Sequence, residues 1–450
     1  MAEPDETLLL RDLSRAMVAW RGWLSLRRAS PSAAGERDPF ASTRWVTEQR
    51  TLVEVRAKSG HPATPYLAGW MSRLLYARVN AEAETLAAME RETKSVRLTI
   101  PSPRELSVRE AVRRLVSEPD LDVRASLGDA LVRAGGDVAG RERDAWARRG
   151  EIARRLGFDG EGALFSPVRE HRELAALASE TLDTTHELAR HALGRSARWT
   201  DTLTIANGSE PPLPWPGRLS MRALVELFAG EARWLDLPEL VLGDGPALLV
   251  PASINRSLAR LGARWADASA SRSLPLPLAH APSELPRRTL GALFAGLVRS
   301  APFLVRVLGL SRSDAERAAR AMAKVSLFAW RLSAARLLLR EPALAGDARG
   351  VREAADTHVA RALLAPFPTE LALVAPRLTE TDPARFVAFG EAARLAGELR
   401  DRWDEDWFRN PRAVITLRDR LGHAPPLSIT IADARAGVTA EAATLGGTLS

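Results

Sequence analysis

The sequence predicts an all-α protein, mainly helical with a few short strands, and two observations carry this prediction. Apolar residues recur three and four positions apart over long stretches, beginning with Leu9 and Leu13, and this is the period of one face of a helix. Glycine and proline fall mainly between those stretches, where helices end. The 450-residue chain is 46% apolar and 26% charged, a composition typical of a globular protein with a large core.

The helical pattern can be followed along the chain. Ser107 and Glu110 form an S-x-x-E capping box, and Ser313 and Glu316 form a second one; such a box marks the start of a helix. Extended structure is expected in TLTIAN, LVLGDGPALLVPAS and LSITI. Further helices are predicted at about 42–57, 65–89, 141–156, 167–193, 255–268, 285–298, 349–364 and 383–403, and from Pro411 onward.

The same pattern divides the chain into two lobes and a tail. Between residues 199 and 218 an extended stretch is followed by EPPLPWPG, which is too rich in proline to be helical. We therefore predict an N-terminal helical lobe over residues 1–200 and a C-terminal helical lobe over 201–433. Residues 434–450 are small and polar, and we expect them to form a flexible tail.

Composition excludes several classes of function. The chain has no cysteine, which removes disulfides, thiolate metal sites and cysteine nucleophiles. The formal charge is +7, but all except three of the 63 basic residues are arginines spread along the chain. We expect no nucleic-acid partner, because such a partner requires a clustered basic patch. No apolar run approaches the length of a membrane span and no signal peptide is recognisable, so we expect no membrane partner and a cytoplasmic location.

A first candidate metal site lies in HELARH, where His186 precedes Glu187 and His191 follows it four residues later. In the zinc motif H-E-x-x-H, histidines four residues apart lie about 40° apart around the helix, whereas a spacing of five gives about 140°. The longer spacing is similar to the H-E-x-x-x-H of peptidases related to dipeptidyl peptidase III. Their adjacent pair of glutamates is matched only loosely by Glu226 and Glu231. The alternative prediction is an active zinc peptidase that uses His186, Glu187, His191 and Glu231.

A more extensive resemblance covers most of residues 57–423. It is carried by a segment that begins LPLPLAHAPSELPRRTLGALFAGL, by the block DPARFVAFGEAARLAGELRDRWDEDWFRNPRA and by RRGEIARRLGFDG. These stretches resemble bacterial zinc metallopeptidases related to oligoendopeptidase F and thimet oligopeptidase. The resemblance implies an elongated, two-lobed helical fold around a central cleft. It also implies a helix bearing His-Glu-x-x-His, a later helix with a glutamate as third zinc ligand, and a tyrosine that stabilises the oxyanion.

The helix that matches His-Glu-x-x-His reads SLARLGARWADA and lacks the motif. Ala259 and Ala263 match the two histidines, and Arg260 matches the general base. Gly262 matches the glycine that often precedes the second histidine. None of these side chains can bind zinc or accept a proton from water.

The other functional positions of the family are also replaced. Arg288, or Arg287 if the register shifts by one, matches the third ligand in PRRTLGALFAGL. A guanidinium at this position repels a metal cation. Phe386 matches the tyrosine, and the chain's two tyrosines, Tyr66 and Tyr76, lie far away in the sequence.

The sequence therefore predicts a catalytically inactive metallopeptidase homologue, a pseudoenzyme with no zinc and no other cofactor. Its residual cleft can hold a peptide or the tail of a protein partner, with Arg260 and Arg288 as a carboxylate-binding surface in place of the metal. A partner of an active relative, a protein that sequesters peptides and a structural component all fit this hypothesis. The oligomeric state is not predicted.

Overall fold

Most of the structure is helical in a computed structural model that describes residues 5–58, 60–98, 104–194, 197–208 and 251–450. Within these ranges the only sheet is an antiparallel pair of short strands, β1 (Ser95–Leu98) and β2 (Arg104–Ser107). The prediction of an all-α fold with a few short strands is confirmed. No helix in the described ranges combines the length and the apolar character that a membrane crossing requires.

Helices occupy most of the predicted positions before residue 208, but several bounds differ. The helix expected over 42–57 is a 3-10 helix, Ala41–Thr47, followed by an α-helix from Gln49, and the one expected over 141–156 is the end of a helix that begins at Leu121. The capping box of Ser107 and Glu110 begins a helix, as predicted. TLTIAN was expected to be extended but is helical, and the expected helix over 167–193 is interrupted at Thr185. The helices are α1 (Glu6–Ala29), α2 (Pro31–Gly35), α3 (Gln49–Ala57), α4 (Thr64–Thr93), α5 (Val108–Leu115), α6 (Leu121–Arg155), α7 (Glu161–Phe165), α8 (Leu174–Thr184), α9 (His186–Leu193) and α10 (Trp199–Ala206).

The helices after residue 250 include the longest one of this half, over 312–345. It begins two residues earlier than the second capping box predicts, because the Ser311 hydroxyl accepts the backbone N–H of Asp314. LVLGDGPALLV lies outside the described residues, and Ile429 of LSITI forms an isolated bridge with Val168. The helices are α11 (Pro251–Ser269), α12 (Leu276–Ala279), α13 (Leu285–Gly296), α14 (Ala301–Arg306), α15 (Arg312–Ala345), α16 (Ala348–Ala354), α17 (Ala360–Leu363), α18 (Asp382–Trp403), α19 (Pro411–Leu421) and α20 (Ile431–Leu449).

The buried apolar side chains form three clusters. One joins α1, α3 and α4 with the end of α6, and a second joins α11, α13, α14 and α19. The third and largest contains parts of α6, α8, α10 and α20. Buried residues of α15 up to Met322 belong to the second cluster and those from Ala323 onward to the third. In α18 the order is reversed, with residues 386–388 in the third cluster and those from Ala392 onward in the second. These two helices therefore connect the core around α11 and α13 with the central core.

The predicted flexible tail is wrong, because residues 431–449 form helix α20. Thr430 caps its start by accepting the backbone N–H of Asp433. Glu441 is fully buried and pairs with Arg299, which precedes α14. The division into lobes at residue 200 stays a prediction, since the junction over 209–250 lies outside the described residues.

Candidate functional site

The two helices in which the sequence predicts degenerate zinc-site positions pack against each other through glycines. A Cβ atom on Gly262 of α11 would lie 2.3 Å from the carbonyl oxygen of Leu290 in α13. One on Gly291 would lie 2.9 Å from a backbone carbonyl oxygen of α11. Only glycine permits so close an approach of two backbones. Asp267, later in α11, meets Arg287, earlier in α13, so the two helices run antiparallel.

The four predicted positions of α11 carry no group that could bind a metal. Ala259 and Ala263 are half-buried, Arg260 is exposed, and Gly262 is buried in the contact with α13. A methyl group offers no lone pair to zinc, and a guanidinium stays protonated and has only hydrogen-bond donors. This part of α11 can therefore contact a ligand but cannot activate water.

The predicted third-ligand position holds an arginine in either register, and both arginines have carboxylate partners. Nε of Arg287 donates to Oδ2 of Asp267 at 2.9 Å. Arg288 lies 3.5 Å from the carboxylate of Glu284 and donates to the hydroxyl of Thr381 at 3.1 Å. Burial lowers the pKa of Arg288, although Glu284 partly offsets this. The α13 side of the site is thus built from ion pairs.

Phe386, at the predicted tyrosine position, is a core residue. It is 1% exposed and stacks on Trp330 with ring centroids 6.5 Å apart. The tyrosines lie on α4, where Tyr76 donates to the carboxylate of Glu161. The hydroxyl of Tyr66 donates to the backbone oxygen of Pro425 at 2.6 Å. Tyr66 therefore reaches the C-terminal part of the chain, a contact that its position in the sequence did not indicate.

A small pocket lies beside the contact of α11 and α13. Its polar walls are Arg21 of α1, Asp267, Arg287 and two residues between α12 and α13, His280 and Glu284. The cavity volume is about 30 Å³, which holds the centres of roughly two water molecules. Sequence reasoning missed this pocket because Arg21, Asp267 and His280 belong to no motif and come from distant segments.

Arginines around the pocket lower the pKa of both His280 and Glu284. Burial is the largest cause of the lowered pKa of His280, and Arg21 and Arg287 lower it further, while Asp267 partly offsets them. Burial works against ionisation of Glu284, but Arg73 and Arg288 outweigh it and lower the pKa of that carboxyl. Glu284 also has a left-handed backbone, with φ of +59°. Residues other than glycine pay a conformational cost there, and such strain is often found at functional sites.

A network of buried ion pairs lies deeper in the molecule. Arg340 donates from Nε to Glu161 at 3.0 Å, and both side chains are nearly inaccessible. Arg149 contacts Glu84, Glu161 and Glu380. These residues come from α4, α6, α7, α15 and the segment before α18, so the network connects distant parts of the chain. No sequence motif pointed to it.

Arg73 lies between this network and the pocket. Its guanidinium is 4.0 Å from Glu284 and lies over the rings of Trp20, Trp70 and Phe165 at 4.9–5.7 Å. Nε and one Nη of this fully buried side chain have no hydrogen-bond partner. The ring faces therefore provide much of its stabilisation, as cation–π contacts do.

HELARH lies on a different part of the surface. His186 begins α9 with 40% of its side chain exposed, and His191 is exposed as well. Glu187 pairs with Arg190 at 3.2 Å. Within the described ranges no three histidine or acidic side chains form a group that could hold a metal ion. Glu231, the fourth residue of the alternative zinc site, lies outside those ranges.

Comparisons with known proteins find a likeness among solved structures but none at the level of sequence. No protein-family model matches the sequence, and no curated protein matches it significantly. Among solved structures, a carboxypeptidase of Pyrococcus furiosus, described as its apo-Mg structure, is similar to this chain with a TM-score of 0.47. The two sequences are 10% identical, and the alignment covers 93% of each chain.

Proposed function

We propose that this protein is a metallopeptidase-like helical protein without peptidase activity that binds a peptide or a protein tail beside α11 and α13. One observation carries the proposal. The two helices that resemble the zinc-binding helices are in backbone contact at Gly262 and Gly291, as partners in one site must be. Around that contact they carry alanine methyl groups and the ion pair of Asp267 with Arg287.

The chemistry of these groups supports a loss of activity. A catalytic zinc site needs three protein ligands and an open position for water. Ala259 and Ala263 supply no ligand, and an arginine at the third position repels the cation. A general base must exchange a proton near neutral pH, which the guanidinium of Arg260 cannot do.

The arginines at these positions support the binding of an anionic group instead. Arg260 is exposed on α11, so a ligand carboxylate can reach it. Arg288 is less available, because Glu284 and Thr381 occupy part of its guanidinium, although its buried Nε has no partner. Two parallel N–H groups of a guanidinium match a carboxylate well. Of the two arginines at the predicted positions, Arg260 is therefore the more available to a ligand.

Elemental analysis and a peptidase assay test the proposal on the purified full-length chain. We expect zinc far below one ion per chain, and no hydrolysis of a quenched fluorescent peptide library with added zinc. Stoichiometric zinc that disappears in a variant with His186→Ala and His191→Ala would support the alternative zinc peptidase and refute the proposal. His61→Ala serves as the control, because His61 is also an exposed histidine.

A further inference from the structure

We propose that the pocket formed by Arg21, Asp267 and His280 binds a carboxylate whose neighbouring carbon carries a hydrogen-bond donor. This head group occurs on a free α-amino acid and at the C-terminus of a peptide. The inference rests on the proposed function, because it names the chemistry of the ligand beside α11 and α13. The two can fail separately, since the test below measures binding and does not depend on the zinc content.

Arg21 supplies the cation for the carboxylate. It is half-buried on α1, lines the pocket and forms no ion pair with any described residue. The pocket's two carboxylates are already engaged, Asp267 by Arg287 at 2.9 Å and Glu284 by Arg288 at 3.5 Å. Neither of them forms an ion pair with Arg21, although Arg21 is close enough to help lower the pKa of Glu284. A guanidinium without an ion-pair partner in a partly desolvated pocket favours a bound anion, and a carboxylate fits its fork of donors.

Asp267 supplies the acceptor for the neighbouring donor. Its Oδ2 accepts from Arg287, but its Oδ1 is buried and has no hydrogen-bond partner. Nδ1 of His280 is 3.9 Å away from Oδ1, too far for a hydrogen bond. A buried acceptor without a hydrogen bond destabilises the protein by roughly the free energy needed to remove that group from water. A ligand with an N–H group beside its carboxylate would remove this cost.

The size of the pocket limits what enters it. The cavity of about 30 Å³ has room for roughly two water-sized groups, and its remaining walls are mainly small side chains. Ala266, Ala270, Ala279 and Ala281 line it together with Leu421 and Pro425. The polar atoms of the carboxylate and of the adjacent donor would point into the pocket, while the rest of the ligand stays outside. A large acid is therefore disfavoured as a fully enclosed ligand.

The strained backbone of Glu284 supports a binding role for this pocket. The residue holds a left-handed conformation at the start of α13 while its carboxylate contacts Arg73 and Arg288. These contacts occupy the carboxylate of Glu284, which forms no ion pair with Arg21. Among the described residues, Arg21 thus has no ion-pair partner and Oδ1 of Asp267 has no hydrogen-bond partner in the same small pocket. A carboxylate with an adjacent donor would satisfy both groups.

Calorimetric titration of the full-length protein tests the inference with five probes. These are L-alanine, propionate without the donor, alaninamide without the carboxylate, trialanine, and trialanine with an amidated C-terminus. We expect saturable binding of L-alanine or trialanine, and binding at least about 10-fold weaker for the three probes that lack one group. Tighter binding of trialanine identifies a peptide C-terminus as the source, and tighter binding of L-alanine identifies a free amino acid.

Variants of Arg21 link the binding to this pocket. We expect Arg21→Gln to weaken binding at least about 10-fold and Arg21→Lys to retain most of it. Arg15→Gln is the matched control, because Arg15 lies on the same helix with 63% of its side chain exposed. The inference is refuted if no probe binds, if propionate or alaninamide binds as tightly as L-alanine, or if Arg21→Gln binds like the unmodified protein.

Discussion

Gly262 lies so close to Leu290 that a single added carbon atom would come within 2.3 Å of the Leu290 carbonyl oxygen. The ring of Phe294 lies 2.9 Å from the same position. The contact therefore joins the backbones of α11 and α13 without intervening side chains. The distance between two packed helices is set by the side chains at their contact, so a larger residue there would push the helices apart. The geometry of the candidate site thus depends on Gly262 and Gly291, which have no side-chain chemistry of their own.

Replacing Gly262 by alanine should destabilise the protein. The new methyl group would meet backbone atoms of α13 that cannot move without shifting the helix, and overpacking of this kind costs about 3 kcal/mol. Gly397→Ala is the matched control, because a Cβ there would have no atom within 4 Å inside α18. That change should raise the free energy of unfolding by up to about 1 kcal/mol. Urea denaturation measures both, and equal effects of the two changes would contradict the packing described.

The sequence predicts helices well where one face of the helix is apolar. The capping box of Ser107 with Glu110 and the helix from Pro411 onward are found where predicted. α10 was missed because the β-branched residues of TLTIAN favour a strand locally, whereas buried packing keeps this segment helical. The end of the chain was missed for the opposite reason. The buried face of α20 contains Ala434, Val438 and Leu445, and Gly437 packs against Gly390, so this face is built largely from small residues that give a weak apolar pattern.

The polar groups were harder to predict than the helices. Among the residues predicted for the degenerate site, Gly262 stands at the contact of α11 and α13. The partners of Arg288 and the environment of Arg21 could not be predicted, because their neighbours are distant in sequence. Charged residues are ordinarily assigned to the surface. In this protein several are buried in pairs, and pairing depends on tertiary contacts that no local pattern encodes.

Glu161→Gln should be strongly destabilising. The carboxylate is inaccessible and neutralises Arg340, and it accepts the hydroxyl of Tyr76 and lies 3.7 Å from Arg149. Breaking one side of a buried ion pair leaves an uncompensated charge, which costs about 3–5 kcal/mol. Glu151→Gln, at an exposed i,i+4 pair with Arg155, should change the free energy of unfolding by less than about 0.5 kcal/mol. Denaturant midpoints compare the two, and similar midpoints would refute the importance of the network.

Glu380 should make the protein less stable in acid. Burial works against its ionisation, but attraction from Arg149 and a backbone hydrogen bond outweigh it and lower its pKa to about 2. The ordinary value is 4.5, so the unfolded chain binds this proton first. The stabilisation is complete above pH 4.5 and is lost as the pH falls from 4.5 towards 2.

Comparison of Glu380→Gln with the unmodified protein isolates this contribution. The variant should be less stable at neutral pH by on the order of 2–3 kcal/mol, and the difference should shrink as the pH falls from 4.5 towards 2. Glu405→Gln, at an exposed position, should follow the unmodified protein throughout. Urea titrations at a series of pH values measure the difference. A difference that does not change with pH across this window would contradict the assignment.

Glu441→Gln should loosen α20, the helix at the end of the chain. Glu441 is fully buried and accepts two hydrogen bonds from Arg299, one of them at 3.2 Å. Burial raises the pKa of Glu441, and Arg299 partly offsets this. The amide removes one charge of the pair and leaves Arg299 without its carboxylate, a loss of about 3 kcal/mol. Arg435 lies on α20 as well and forms an exposed pair with Glu180 of α8. Arg435→Gln breaks this pair and should cost less than about 1 kcal/mol.

Limited proteolysis followed by mass spectrometry measures the effect on α20 directly. The unmodified protein should keep residues 431–450 attached under conditions that cleave exposed loops, because a packed helix must unfold locally before a protease can bind it. In Glu441→Gln the same segment should be removed faster, whereas Arg435→Gln should behave like the unmodified protein. Rapid removal of residues 431–450 from the unmodified chain would show instead that α20 is not held against α18, and that the buried pair of Arg299 with Glu441 does not persist in solution.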